Sequence, residues 1–329
     1  MPLHSISISG LITLDLHALN NEGSEGNQLQ TRQVQIVDDR GQLHAVNAIS
    51  GDMFKHIQAH YLHQLSVEAG LPLCGGCKIF DANRINYDDA FANNLAASQE
   101  FADATKNGKG DSYILGQVLS TCVMDDLEGI LITKKIGDKS RSIPRKSVVE
   151  FGWVVGRPDV TRTDAFLHTK YVPEGRGKGS GGQEGANLGQ NLFHRPASSG
   201  QYAVVVHADL YRIGRNDITL DPVLTPDAIA QRSGALLRSL LATFLRPLGA
   251  QRNTQNPHVV NFEGIVATSA STLPAPTISA LNSQYREQLR EQREALNLLA
   301  NNGLALHEFD SLGQFSSVMA NLTTTVEKG

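Results

Sequence analysis

Three scarcities narrow what this chain can be. Only three cysteines occur in 329 residues, too few for a disulfide framework, and their rarity fits a reducing compartment. No apolar run reaches membrane-spanning length, and Met1-Pro2-Leu3-His4 runs into alternating Ser5-Ile6-Ser7-Ile8-Ser9 with no secretory leader. A cytoplasmic protein with no membrane partner is expected. A strong excess of either charge is also missing. The formal net charge is −4 and the isoelectric point is near 6.3, which argues against indiscriminate binding to nucleic acid or anionic lipid and leaves room only for a local basic groove. What is present is 40% hydrophobic residues, enough to bury one large or two ordinary cores.

The organising stretch is Val46 to His56. A short apolar run meets Ser50 and Gly51, and Phe54, Ile57, Tyr61 and Leu65 follow at helical spacing. A capped helix start of this kind has free backbone N–H groups and the positive end of the helix dipole, with Lys55 and His56 one turn in, so it suits a phosphate. An ordinary cap with a solvated lysine is the alternative. The helix is expected to run to about Ala69, ended by Gly70 and Pro72. Ahead of it, Ile6, Ile8, Ile12, Leu14 and Leu16 alternate across one long strand, with a bend expected at Gly10 and polar Asn20 at its far end. A loop follows over 22–27, then a weak strand over 34–37 and a turn over 38–41.

From Leu73 the composition shifts to Asn, Asp, Ala and Lys, which marks an inserted subdomain. It opens with Cys74-Gly75-Gly76-Cys77, and Cys122 lies at its exit. A CxxC knuckle with a third thiolate suits zinc if a His or Asp completes the tetrahedron, and Asp125 and Asp126 are near in sequence. Three reduced cysteines in a turn and a core strand are the alternative. Lys134 to Ser147 reads as a hairpin tip with six basic residues and one acidic, better suited to a phosphate backbone than to base edges.

The segment 157–199 reads as irregular, and its glycine-rich middle has too little side chain to order itself without a binding partner. No Gly-Lys-Ser/Thr follows, so a Walker-type nucleotide site is poorly supported. A strand is expected over 202–211. Thr225-Pro226-Asp227 is a strong helix start, with Leu237, Leu240, Leu241, Phe244 and Leu245 on its apolar face and Pro247 at its end. Gly249 to His258 is a run of donors and acceptors before a strand over 259–268. A charged amphipathic helix is expected over 278–299, and the remaining residues close the chain, ending in a polar tail.

The Ser50-Gly51 helix start, the basic Pro144-Arg145-Lys146-Ser147 hairpin, Pro196-Ala197-Ser198-Ser199-Gly200 before a Tyr-Ala strand, and Gly249-Ala250-Gln251-Arg252 ahead of Pro257 follow one another in a familiar order. That order resembles the DevR-like proteins, the "Cas seven" backbone subunits of type I CRISPR surveillance complexes (Cascade) in the repeat-associated mysterious protein superfamily. The resemblance spans roughly Ile6 to Ser279. It implies an α+β fold: a modified RNA-recognition-motif (ferredoxin-like) palm with an antiparallel sheet over 1–329, a finger insertion over 71–120, a thumb loop over 157–200 and a C-terminal helical segment over 277–329.

It also implies a non-catalytic subunit that polymerises along a guide RNA beside other Cascade subunits, leaving the guide to pair with a target DNA strand. Asn20, Ser50, Gly51, Lys55 and His56 would hold guide phosphates, and Arg145, Lys146 and Ser147 would line the same groove. His168 and Lys170 would lie at the thumb base, Arg195 and Ser199 on its return, and Gly249, Gln251, Arg252, Asn253 and Gln255 would face the guide. Cys74 and Cys77 are not general to that family, so zinc held by Cys74, Cys77 and Cys122 would be a branch-specific feature. The aromatic pair usual on an RNA-recognition-motif sheet is not visible.

Two alternatives remain open. A type III-like target-RNA endoribonuclease would need an acid after the first strand, where Glu22, Glu25, Asp38 and Asp39 stand. A transcriptional or developmental regulator would need a duplex-binding element, and no helix-turn-helix signal is present.

Overall fold

The computed structural model describes residues 3–20, 24–25, 28–137, 139–171, 190–249, 253–299, 301 and 303–328. Its spine is β1 (Ser5–His17), whose residues are almost all buried. The isoleucine side, Ile6, Ile8 and Ile12, faces the main core. The serine side is covered as well: Ser5 Oγ accepts from Ala275 N at 3.0 Å, Ser7 Oγ donates to Ala275 O at 2.9 Å and Ser9 Oγ accepts from Ile278 N at 3.3 Å. The alternation therefore encodes two buried faces, one apolar and one hydrogen-bonded. No register shift occurs at Gly10. The irregularities lie at Thr13/Leu14 and between Leu14 and His17.

The short β2 (Ser24–Glu25) and β3 (Gln28–Leu29) precede the hairpin of β4 (Gln33–Val37) and β5 (Leu43–Ile49). Helix α1 (Gly51–Glu68) follows, capped by Ser50, whose side chain accepts from Met53 N, and terminated at Ala69 before Gly70, which has φ of 65°. The buried side is Phe54, Ile57, Gln58, Ala59, Leu62 and Ser66, with Tyr61 and Leu65 at its margin.

The inserted region is helical: α2 (Gly75–Lys78), α3 (Asp89–Ala97), α4 (Gln99–Lys106), α5 (Gly110–Thr121) and α6 (Val123–Glu128). The ribbon β6 (Ile130–Ile132) and β7 (Ile143–Arg145) leads to β8 (Val149–Phe151).

The expected irregular stretch is a correction: β9 (Val154–Tyr171) and β10 (Gln190–Ala208) form one long antiparallel ladder, paired from Ala203–Val155 to Gln190–Tyr171. Its polar, charged strands hydrogen-bond to each other, so they need little hydrophobic patterning to be strands. The glycine-rich middle lies outside the described residues.

Helix α7 (Pro226–Leu245) starts where Thr225 Oγ1 accepts from Ala228 N. It is followed by β11 (His258–Ser269), α8 (Tyr285–Asn297), β12 (Leu304–Phe309) and α9 (Leu312–Lys328). The C-terminal segment expected to be helical over 277–329 holds α8 and α9, and what was not expected is the strand between them: β12 pairs with β11, and Phe315, Met319 and Leu322 on α9 enter the core at helical spacing.

Among the described residues the large sheet runs β12-β11-β1-β10-β9-β5-β4 with antiparallel pairings along that order, while β8 and β3 pair with β10 and β2 with β3 off that path. The main core joins the sheet to α1, α7 and α9, while Leu11, Ala203 and Ile265 on the opposite face pack with Ala280, Tyr285 and Leu289. No helix among the described residues is long and apolar enough to cross a membrane.

Candidate nucleic-acid interface and metal cluster

Residues from distant parts of the chain converge where β1 ends. Asn20 Oδ1 accepts from Ser50 N at 3.3 Å, which ties the end of that segment to the start of α1. Gly51 follows because nothing larger fits: a Cβ there would lie 2.6 Å from Phe151 O. Gly249 packs its backbone on Leu19. Ser199 Oγ accepts from Leu16 N at 3.0 Å, and Gln255 Nε2 donates to Pro196 O at 3.1 Å. Asn20, Ser50, Gly51, Ser199, Gly249 and Gln255 are thus brought together, and Asn253 is exposed beside them in sequence. His56 is exposed on α1, 5.9 Å from the Phe80 ring. Gln251 and Arg252 lie outside the described residues.

The long hairpin adds a stack of rings and a cation. His168 and Phe193 are cross-strand partners with ring centroids 5.8 Å apart and planes 18° from parallel. Arg195 lies over Phe193 at 4.8 Å, and its Nη1 donates to Thr254 Oγ1 at 3.1 Å. Arg195 is opposite Phe166, so Phe166, His168, Phe193 and Arg195 share one face of the ribbon, with Phe166 46% exposed. Lys170 is opposite Asn191 in the same ladder. Of this face, sequence reasoning named His168 and Arg195 as site residues and Phe193 beside Arg195 at the flank of the glycine-rich segment; Phe166 is the one it missed, and strand parity would have found it had the ladder been recognised.

The basic hairpin is a correction. Arg145 is 3% exposed, and all five of its N–H donors are used, to Asp126 Oδ1 (2.7 Å), Asp217 Oδ1 (2.9 Å) and the carbonyls of Asp126, Arg212 and Arg215. It is framework and has no donor left for a phosphate.

Lys55 also turns inward. Its ammonium donates to Val149 O at 2.9 Å and to Ser147 Oγ, and lies 3.5 Å from Glu128 Oε2. Burial lowers the Lys55 pKa while Glu128 opposes that, and burial raises Glu128 while Lys55 and Arg84 oppose it. Ser147 is committed to the same contacts. Lys134 pairs with Asp89 and Arg141 with Asp111, so of the six basic residues it is Lys135, Lys139 and Lys146 that stand exposed.

The three cysteines, far apart in sequence, meet. Cys74 caps α2 and accepts from Cys77 N at 3.4 Å, while Val123 N donates to Pro72 O at 2.9 Å and brings Cys122 alongside. The three sulfurs and an Asp125 carboxylate oxygen all lie within 4.8 Å of one another, every residue buried. Such a set could hold a metal ion.

Hydrogen bonds from the Cys122 and then the Cys77 thiols bring Cys74 down to about 5. The same thiol contacts push Cys77 up, and burial raises Cys122 and carries Asp125 well above the carboxylate range. Asp125 is one of the two acids that the sequence put forward beside Cys122 without choosing between them. Its signal is the spacing Cys122-x-x-Asp125, which repeats that of Cys74-x-x-Cys77.

Comparison with known proteins agrees with this architecture. A curated relative, "CRISPR-associated protein Cas7/Cst2/DevR" of Methanocaldococcus jannaschii (strain ATCC 43067 / DSM 2661 / JAL-1 / JCM 10045 / NBRC 100440), is 21% identical over 343 residues, covering 98% of each chain. Among solved structures, a chain of "CRISPR RNA-guided surveillance complex, pre-nicking" is similar in fold, with a TM-score of 0.53 at 12% identity over 98% of this chain and 100% of that one. The family profile "CRISPR-associated negative auto-regulator DevR/Csa2" matches residues 8–290. With most of its length covered by that profile, this chain belongs to the DevR/Csa2 family of CRISPR-associated proteins.

Proposed function

We propose that this protein is a guide-RNA-binding, non-catalytic backbone subunit of a cytoplasmic Cascade-like complex. It joins neighbouring copies of itself along the guide, beside other subunits, and leaves guide bases free to pair with a target DNA strand. The observation that carries this reading is the His168–Phe193–Arg195 stack on the long hairpin, set against Thr254 and the loop that ends at Pro257. Aromatic faces and a guanidinium plane are what single-stranded bases stack on, at about 1–3 kcal/mol per base.

The path β1-α1-β9-β10-α7-β11 with strand order β11-β1-β10-β9 supports a ferredoxin-like, RNA-recognition-motif palm. On it, 71–120 is the finger, 157–200 the thumb and 277–329 a C-terminal addition. The sheet face that an RNA-recognition motif leaves open is covered here by Ala280, Tyr285 and Leu289, so the guide runs past the hairpin root and the start of α1. A zinc ion at Cys74, Cys77 and Cys122 belongs to the same reading as a structural part.

The non-catalytic assignment is favoured over target-RNA cleavage by the commitments of two acids. Asp38 accepts from Arg40 N, Gln42 N and His44, contacts that hold it below the usual carboxylate range, with the Gln42 N–H the strongest cause. Asp39 accepts from Ser283 at 2.9 Å.

The test is the double variant Phe193→Ala, Arg195→Ala, co-expressed with a guide. Co-purified RNA should fall at least ten-fold at physiological salt, with the thermal melt of the protein unchanged. Undiminished RNA would refute the reading.

A further inference from the structure

We infer that Cys74, Cys77, Cys122 and Asp125 together bind one zinc ion, and that this ion fastens α2 to α6, the short helix whose Glu128 faces Lys55 of α1 and whose Asp126 holds Arg145. Asp125 carries the argument. It is fully buried, and neither carboxylate oxygen has a hydrogen-bond partner. A buried carboxylate without a partner is strongly disfavoured as an ion, and a cation among three thiolates relieves it.

A tetrahedral ion with zinc–sulfur bonds of about 2.3 Å sets its ligand atoms ~3.8 Å apart, so even the widest of the six separations needs to close by only about 1 Å. Three sulfurs and one carboxylate in a closed, buried shell match structural zinc rather than a hard cation such as magnesium or calcium.

The surroundings are built for such an ion. Cys77 N points at Cys74 Sγ, a donor that stabilises a thiolate. Gly76 lets the knuckle close, since a Cβ there would lie 2.2 Å from Arg84 O. Four anionic ligands around a dication leave a net charge of −2, and the Arg84 cation acts on both Asp125 and Glu128. The ligands come from either end of the inserted helices, so the ion closes that insertion at its root.

The consequence for the interface follows from α6. Within the six residues after Cys122, Asp125 faces the ion, Asp126 holds Arg145 and Arg232, and Glu128 faces Lys55. Displacing α6 therefore displaces the groups that anchor Lys55, and Lys55 is bonded to Ser147 beneath α1.

The experiment uses the full-length chain made in zinc-supplemented medium and purified without chelator. Metal analysis should give one zinc per chain. Replacement by cobalt(II) should give the intense visible bands of a tetrahedral site together with thiolate charge-transfer absorption. Asp125→Asn, isosteric and uncharged, should weaken zinc binding at least ten-fold, and Cys77→Ser should abolish it.

On chelation, amide exchange should rise over 74–84 and 122–129 and stay unchanged in β1 and β11. Folded protein with under 0.1 zinc per chain, iron in its place, or octahedral cobalt spectra would overturn the site. Unchanged affinity in Asp125→Asn would remove the fourth ligand, and unchanged exchange on chelation would remove the fastening role. Because the wild-type chain alone supplies the metal count and the cobalt spectrum, a variant that fails to fold leaves the test intact. None of these measurements uses RNA, so their failure is separate from that of the guide-binding reading.

Discussion

Arg145→Met separates framework from interface most directly. The substitution keeps roughly the length of the side chain and removes a guanidinium whose five donors are all paired, two of them to the carboxylates of Asp126 and Asp217. Breaking a buried ion pair by deleting one partner costs about 3–5 kcal/mol, because the remaining charge stays buried. Asp126 keeps Arg232 Nη1 at 2.6 Å and the Gly214 N–H at 3.1 Å, which places the expected loss at the lower end, about 3 kcal/mol.

Urea unfolding at pH 7, followed by fluorescence and by circular dichroism, measures it as a lower midpoint with an unchanged slope. Guide RNA retained per folded molecule should not change. The contrasting variant is Lys146→Glu, at an exposed position: its stability should stay within about 0.5 kcal/mol of wild type while RNA retention falls. If Arg145→Met matches wild type within about 1 kcal/mol yet loses RNA, the guanidinium meets the guide and the framework assignment is wrong.

The remaining expectations concern pH, packing and assembly. His17 is 2% exposed, neither ring nitrogen has a hydrogen-bond partner, and burial lowers its pKa from 6.5 to about 4. Between those values the unfolded chain takes up a proton that the folded chain refuses, so stability declines as pH falls from 6.5 towards 4, by about 3 kcal/mol in total. His17→Phe should remove that part of the pH dependence, and equal slopes for the two proteins over pH 7 to 4.5 would contradict it. Gly51→Ala should lower stability by about 1–3 kcal/mol, since its Cβ meets the Phe151 carbonyl; a melt at the wild-type temperature would show that the helix start tolerates it. Deleting residues 177–185 should leave a folded protein that binds RNA weakly and no longer assembles into long complexes, as read by sedimentation with and without guide. Unaffected assembly would remove the thumb from the mechanism.

What could be read from the residues alone was local. Ser50, Gly70 and Pro72 bracket α1 correctly, and Thr225-Pro226-Asp227 marks the start of α7, because a cap or a breaker acts within one helical turn and needs no distant partner. The Cys74-x-x-Cys77 knuckle was legible for the same reason.

Tertiary structure decided which way the charges face. Arg145 and Lys146 are adjacent and chemically alike, yet one is enclosed and the other is exposed, because Asp126, Arg212 and Asp217 surround only the first. Asp126 itself collects Arg145 from 19 residues away and Arg232 from 106, separations over which no local pattern carries information. The same holds for Phe193 on His168 and for the meeting of Cys122 with Cys74 and Cys77. Caps and periodicity follow from neighbours in the chain, whereas a side chain's partners, and with them its charge state and its role, follow from the fold that brings them together.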